Sequence, residues 1–306
     1  MESRTLEYKK APDGHAIFAD VHWTPVPSGA SKAKPVALLF HQGGFVVGSK
    51  EMIPRVQIES LASLGFIVVN ANYRLCPQVS LHEGPIQDAK DALSWIRNDL
   101  NAELTGISAD PDNVVAIGYS AGGTLALTLG TVDKPVKAVL DVYGCKMFTD
   151  PSWSLPSPGF LTRPKPDADY CKGIFNEPTV SATEVIFGST APPTPRAAWM
   201  TWTSQQGTWL AECVKDGDYA RVDPISLAAR SPNTFPPVFI IHGTDDTFVP
   251  YHLSERSTEK LKALAIDATL LPVPGKNHLF DIALTGNDQL YKDTILQGFQ
   301  FLAKHI

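Results

Sequence analysis

Cysteine is scarce in this 306-residue chain: Cys76, Cys145, Cys171 and Cys213 are all there is. They are far apart, with no C-x-x-C pair and no histidine at zinc-finger spacing, which leaves out a disulfide-built scaffold and a cysteine-ligated metal centre. Metal hydrolysis lacks its signature too, since no H-E-x-x-H occurs, and no G-x-G-x-x-G follows the first strand-like run to hold a dinucleotide. No stretch approaches the ~18 consecutive apolar residues of a membrane span. The first ten residues hold no apolar run of the secretory kind, and none of the asparagines begins an Asn-x-Ser/Thr sequon. Basic residues are outnumbered, 26 Lys+Arg against 32 Asp+Glu for a net charge of −6, so the chain carries no electrostatic footprint for nucleic acid. These absences predict free thiols in a reduced, cytoplasmic setting and no cofactor, metal, nucleic-acid or membrane partner. They leave the oligomeric state open.

What is present is a core. Apolar residues make up 43% of the chain, enough for a large domain. Short β-branched runs at 35–40, 66–73, 114–118, 136–142, 237–241 and 268–273 alternate with segments of helical period. Near-continuous apolar strands are those buried on both faces of a parallel sheet, so the pattern predicts a mostly parallel, doubly wound α/β fold. Ile86, Ala89, Leu93, Ile96 and Leu100 recur at steps of three and four, predicting one helix; 120–130, 254–265 and 288–304 supply three more. The alternation over 15–23 predicts an antiparallel edge strand. From 146 to 231 the rhythm stops: the segment is proline-rich, lacks a strand run and holds four of the six tryptophans. We expect a core of 1–145 and 232–306, with 146–231 inserted between two late strands as a cap over the sheet edge where α/β folds bind ligands. Within it 197–214 reads as one helix. Trp199, Trp202 and Trp209 would then share a face that either seals the cap or lines the pocket.

Three motifs carry chemistry. Gly118-Tyr119-Ser120-Ala121-Gly122 is G-x-S-x-G between a strand and a helix, the setting of a nucleophile elbow. A serine hydroxyl is a weak nucleophile and needs a base, held in turn by a carboxylate. His242-Gly243-Thr244-Asp245-Asp246-Thr247-Phe248-Val249 follows one strand and Pro274-Gly275-Lys276-Asn277-His278 follows the last. The spacing H-G-x-x-D-x-x-V selects Asp246 over Asp245, and His278 is the expected base; His242 reads as a residue packed at a strand end. The order Ser120, Asp246, His278 is that of the α/β-hydrolases. His41-Gln42-Gly43-Gly44-Phe45 follows the first core strand, and its glycines can turn N–H groups toward an oxyanion.

With these motifs the chain resembles the α/β-hydrolase superfamily, and within it the hormone-sensitive-lipase-like esterases. Their H-G-G-G-[FW], D-Y-R-L-A-P and G-x-S-A-G-G motifs stand here as His41-Gln42-Gly43-Gly44-Phe45, Asn72-Tyr73-Arg74-Leu75-Cys76-Pro77 and Gly118-Tyr119-Ser120-Ala121-Gly122-Gly123. It is also similar to α/β-hydrolases that trim or release fungal polyketide products. The resemblance implies oxyanion donation by the N–H groups of Gly43, Gly44 and Ala121, with His41 bracing the loop. Phe45, Tyr119, Trp199 and Trp202 are the expected substrate contacts. Gln42 in place of glycine and Asn72 in place of aspartate are departures. The expected activity is cofactor-free cleavage of a small-molecule carboxylic ester, thioester or lactone. Rival readings are an acyltransferase or cyclase, in which an alcohol replaces water, and a non-catalytic binder on the same scaffold.

Overall fold

The computed structural model describes residues 1–25, 33–185 and 192–306; part of the expected cap, 186–191, lies outside them. Eight strands form one sheet in the order β1-β2-β4-β3-β5-β6-β7-β8. They are β1 Glu2–Lys10, β2 Ala16–Trp23, β3 Lys34–Phe40, β4 Ile67–Ala71, β5 Ala109–Tyr119, β6 Val139–Val142, β7 Val238–Gly243 and β8 Ala268–Val273. From β4 to β8 every pairing is parallel; β1 and β2 join antiparallel. The central strands are buried on both faces because they are apolar at odd and even positions alike. Val36, Leu38 and Phe40 of β3 enter one core layer, and Ala37 and Leu39 enter the other. Each fully buried Val, Leu or Phe side chain among them contributes about 1.5–3 kcal/mol before chain entropy is counted.

Helices cover both faces. On one side lie α1 (Arg55–Ser63) and the C-terminal Ile295–Ala303 helix, with Leu61, Phe299 and Leu302 in the layer beneath the sheet. On the other lie α2 (Gln87–Asn98), α3 (Ala121–Thr128) and the His252–Ala263 helix, supplying Ala89, Leu93, Ile96, Leu125 and Leu261.

One expectation about the strands needs correction. The 15–23 strand is not the edge: β2 pairs with both β1 and β4, and β1 is outermost. Only Leu6 and Tyr8 of β1 are buried among exposed polar residues, a pattern too weak to have marked a strand. Two helices also break. The expected 288–304 helix is interrupted at Thr294 (φ −127°, ψ −84°) between Gln289–Asp293 and Ile295–Ala303. The expected 197–214 helix is two: α4 (Pro195–Gln206) ends on Gly207 in the left-handed conformation, and α5 (Trp209–Val214) starts afresh. Trp209 therefore does not continue the face of Trp199 and Trp202.

Between β6 and β7 the described residues form short helices and no strand. This segment reaches the C-terminal ends of the parallel strands. The Gly159 N–H donates to the Thr247 carbonyl after β7, and the Trp209 indole N–H to the Gly44 carbonyl after β3.

Candidate active site

Four loops leave C-terminal strand ends side by side, after β3, β5, β7 and β8, and each brings one motif. At the end of β5 the chain turns so sharply that Ser120 adopts φ 52°, ψ −116°, a conformation costing on the order of 1–3 kcal/mol. Glycines make the turn possible. A Cβ on Gly118 would lie 1.9 Å from the Gly122 carbonyl oxygen, and one on Gly122 would lie 2.2 Å from that of Phe40. The Ser120 backbone is fixed by hydrogen bonds with Val142, Gly123 and Cys145. Cys145, the neighbouring thiol, is no competitor for the nucleophile's role: burial pushes it up to about 12.

The side chains expected to work together do meet. His278 Nε2 lies 2.9 Å from Ser120 Oγ, and its Nδ1 lies 2.7 Å from Asp246 Oδ2. Asp246 is enclosed, and its Oδ1 accepts from the Phe248 and Val249 N–H groups at 2.8 and 2.9 Å. Burial on its own would push that carboxyl up. The His278 charge and the hydrogen bonds of His242 and His278 outweigh it and hold Asp246 well below the ordinary carboxylate range. Asp245 is exposed, and among the described residues its side chain accepts from Thr244 Oγ1 alone.

The loop after β3 is shaped by its carbonyls. His41 Nδ1 bonds the Gln42 carbonyl at 2.6 Å, and the Val46 and Val47 N–H groups donate to that of Gly43 at 3.1 and 3.0 Å. In a trans peptide the N–H points opposite to the C=O, so the Gly43 and Gly44 N–H groups are turned the other way. Among the described residues neither has an acceptor. His41 is stacked on Tyr73 at 4.3 Å, and burial pulls it down to about 4, so it is a neutral donor. Gln42 sends its amide to the Met52 carbonyl, and Asn72 Oδ1 accepts from the Lys50 N–H. Both departures from the esterase motifs thus act as braces. Ala121 opens α3 directly after Ser120.

The four expected substrate contacts fare differently. Phe45 is fully buried and stacked parallel on Trp209, with centroids 5.8 Å apart. Tyr119 is a correction. Side chains alternate along β5, so Tyr119 joins Val115 and Ile117 in the opposite layer, where its hydroxyl bonds Gln57 of α1. Trp199 is buried edge-on to Phe175, and Trp202 is half-buried against the same cluster.

Several neighbours escaped the sequence reading. The His278 ring lies between Tyr143 and Phe248, at 4.6 and 5.6 Å. His242 Nε2 reaches Asp246 Oδ2 at 3.1 Å while its Nδ1 meets Ser254 Oγ, so it supports the carboxylate rather than merely closing a strand. Its place four residues before Asp246 was the available signal. Tyr143 follows β6 at the same sheet edge, and only topology reveals it. Trp209 gave no usable signal, because the αL break at Gly207 redirects it.

Residues 37–282 match the family described as alpha/beta hydrolase fold. The chain is 33% identical over 348 aligned positions to a non-reducing polyketide synthase, ausA, of Emericella nidulans, and 34% identical over 331 to mapC of Penicillium brevicompactum. These alignments take in 100% and 96% of the chain but 14% of either synthase, so the chain spans about one seventh of their length. Among solved structures it resembles Thermogutta terrifontis esterase 2 phosphonylated by sarin, with TM-score 0.66 and 21% identity over 99% of this chain and 94% of that one. An alpha/beta hydrolase superfamily protein from Enterococcus faecalis gives TM-score 0.72 and 18% identity over 99% and 98%.

Proposed function

Because this chain belongs to the α/β-hydrolase fold family, we propose that it is a serine hydrolase cleaving esters or thioesters through an acyl-enzyme on Ser120. The observation that carries the reading is the relay of two hydrogen bonds, 2.9 Å from Ser120 to His278 and 2.7 Å from His278 to Asp246. His278 takes the Ser120 proton as Oγ attacks the carbonyl, and Asp246 holds the imidazole in the tautomer with its proton on Nδ1. The N–H groups of Gly43, Gly44 and Ala121 receive the oxyanion, and the N-terminal end of α3 adds its partial positive charge. His278 then protonates the leaving alkoxide or thiolate. Water repeats the sequence and frees the acid.

For the acyl group we propose a polyketide. The support is similarity along the whole chain to fungal synthases named for that product class. The segment 146–231 is proposed as a cap, since its described residues meet the loops after β3 and β7. The four buried, unpaired thiols suit a reduced compartment, and we place the enzyme in the cytoplasm. The test is a panel of aryl esters and N-acetylcysteamine thioesters, from acetyl to aromatic polyketide-like acyl groups. Turnover should rise with acyl size and vanish in Ser120→Ala. Faster turnover of acetyl than of aromatic acyl groups would overturn the polyketide assignment, and an active Ser120→Ala would overturn the hydrolase itself.

A further inference from the structure

Five consecutive carbonyls, from Gln42 to Val46, are each held by a named donor. Gln42 is held by His41, Gly43 by the Val46 and Val47 N–H groups, and Phe45 by the Cys76 N–H at 2.8 Å. The other two donors come from the segment between β6 and β7. Trp209 Nε1 donates to the Gly44 carbonyl at 2.9 Å, and Arg196 Nη1 to that of Val46 at 3.1 Å. Both donors are built in. Arg196, 1% exposed, also bonds the Cys76 carbonyl at 2.6 Å, Gln78 Oε1 at 2.6 Å and Glu177 at 2.9 Å, so that with Val46 four of its five N–H donors are engaged. The Trp209 indole is stacked flat on Phe45, 4° from parallel, and lies 5.5 Å from Trp153, whose own Nε1 bonds the Lys146 carbonyl. A Cβ added at Gly44 would meet the Met200 sulfur at 3.1 Å and the Trp209 indole nitrogen at 3.4 Å.

A peptide plane whose carbonyl is pinned has a fixed N–H, and a loop pinned at five successive planes cannot rock. Without Trp209 the Gly44–Phe45 plane is free to rotate, and rotation about Gly44 moves the neighbouring Gly43–Gly44 plane that carries one oxyanion donor. We propose that Trp209 and Arg196 are positioning residues of the oxyanion hole, so that the inserted segment is part of the catalytic apparatus as well as a cover. This rests on the serine-hydrolase reading above.

Trp209→Phe keeps an aromatic ring for Phe45 while removing the N–H together with the five-membered part of the indole. kcat should fall roughly tenfold or more, because a misaimed oxyanion donor loses part of the ~10²–10³ that deleting one costs. KM should stay within about twofold, since the ground-state carbonyl makes little use of the hole. Affinity for a boronic acid that forms a tetrahedral adduct on Ser120 should fall in step with kcat. The loss should be the same for small and large acyl groups, which a pocket-lining tryptophan would not give. Arg196→Lys, which keeps charge but loses the two-carbonyl fork, should show the same kcat signature. Unchanged kcat in either variant, once its melting curve shows it folded, overturns the proposal, as does a loss confined to KM. Should neither fold, the Trp209 indole N–H resonance of the wild-type enzyme decides, and it must shift when the boronate adduct forms. The hydrolase reading is judged separately, by Ser120→Ala.

Discussion

An alanine at position 43 demands a backbone that the loop after β3, the proposed oxyanion loop, does not have. Gly43 sits at φ +125°, outside the left-handed basin that L residues can visit, and an added Cβ would lie 1.9 Å from the Val47 carbonyl oxygen. That oxygen is backbone, so the loop itself must move, and with it the Gly43 N–H and the Gly43 carbonyl that Val46 and Val47 hold. Losing one oxyanion donor costs ~3 kcal/mol, so kcat should drop by about 10²–10³. Gly44→Ala is the control. Gly44 lies at φ +59°, where alanine costs about 1–2 kcal/mol, and its Cβ would meet the flexible Met200 sulfur at 3.1 Å and the Trp209 indole at 3.4 Å. Its kcat should fall no more than about tenfold on that count. The assay is kcat and KM on p-nitrophenyl esters, with melting temperature recorded for each variant. A folded Gly43→Ala enzyme at least as active as Gly44→Ala refutes the assigned geometry.

Asp246→Asn should cut kcat by about 10⁴, because the imidazole loses tautomer control, while Asp245→Asn should stay within about threefold in the same ester assay. Stability should depend on pH through His41. Its folded-state affinity for protons is depressed, from the ordinary 6.5 to about 4, so the neutral form stabilises the fold above pH 6.5. That contribution, up to about 3 kcal/mol, is lost as pH falls from 6.5 through 4. Urea denaturation across that range should show it, and His41→Gln should flatten the slope. An unchanged slope would show that His41 titrates normally.

The parallel sheet was readable because its strands carry apolar residues at odd and even positions alike, which few other structures tolerate. The residues proposed as nucleophile, acid and base stood out because each follows such a strand in a motif whose spacing is set by the turn that presents it. β1 was not, since only Leu6 and Tyr8 of it are buried and the rest is polar surface. Tyr119 shows how proximity in sequence misleads: it adjoins Ser120, yet strand alternation sends it to the far layer. The insert was the least legible part. One left-handed glycine, Gly207, separates two helices that periodicity joined, and so places Trp209 on the loop after β3 instead of beside Trp202. Side chains brought together only by tertiary packing, such as Tyr143 and Phe248 against His278, leave no periodic trace.

The central claim is that Ser120 is a nucleophile activated by His278 and Asp246. Intact-protein mass spectrometry after treatment with a fluorophosphonate tests it most directly. The wild-type chain should gain one adduct, mapped by peptide analysis to Ser120, at a rate that falls by orders of magnitude in His278→Ala. Ser120→Ala should gain none while melting at the wild-type temperature. An adduct on another residue, or labelling of Ser120 that is indifferent to His278, would contradict the account.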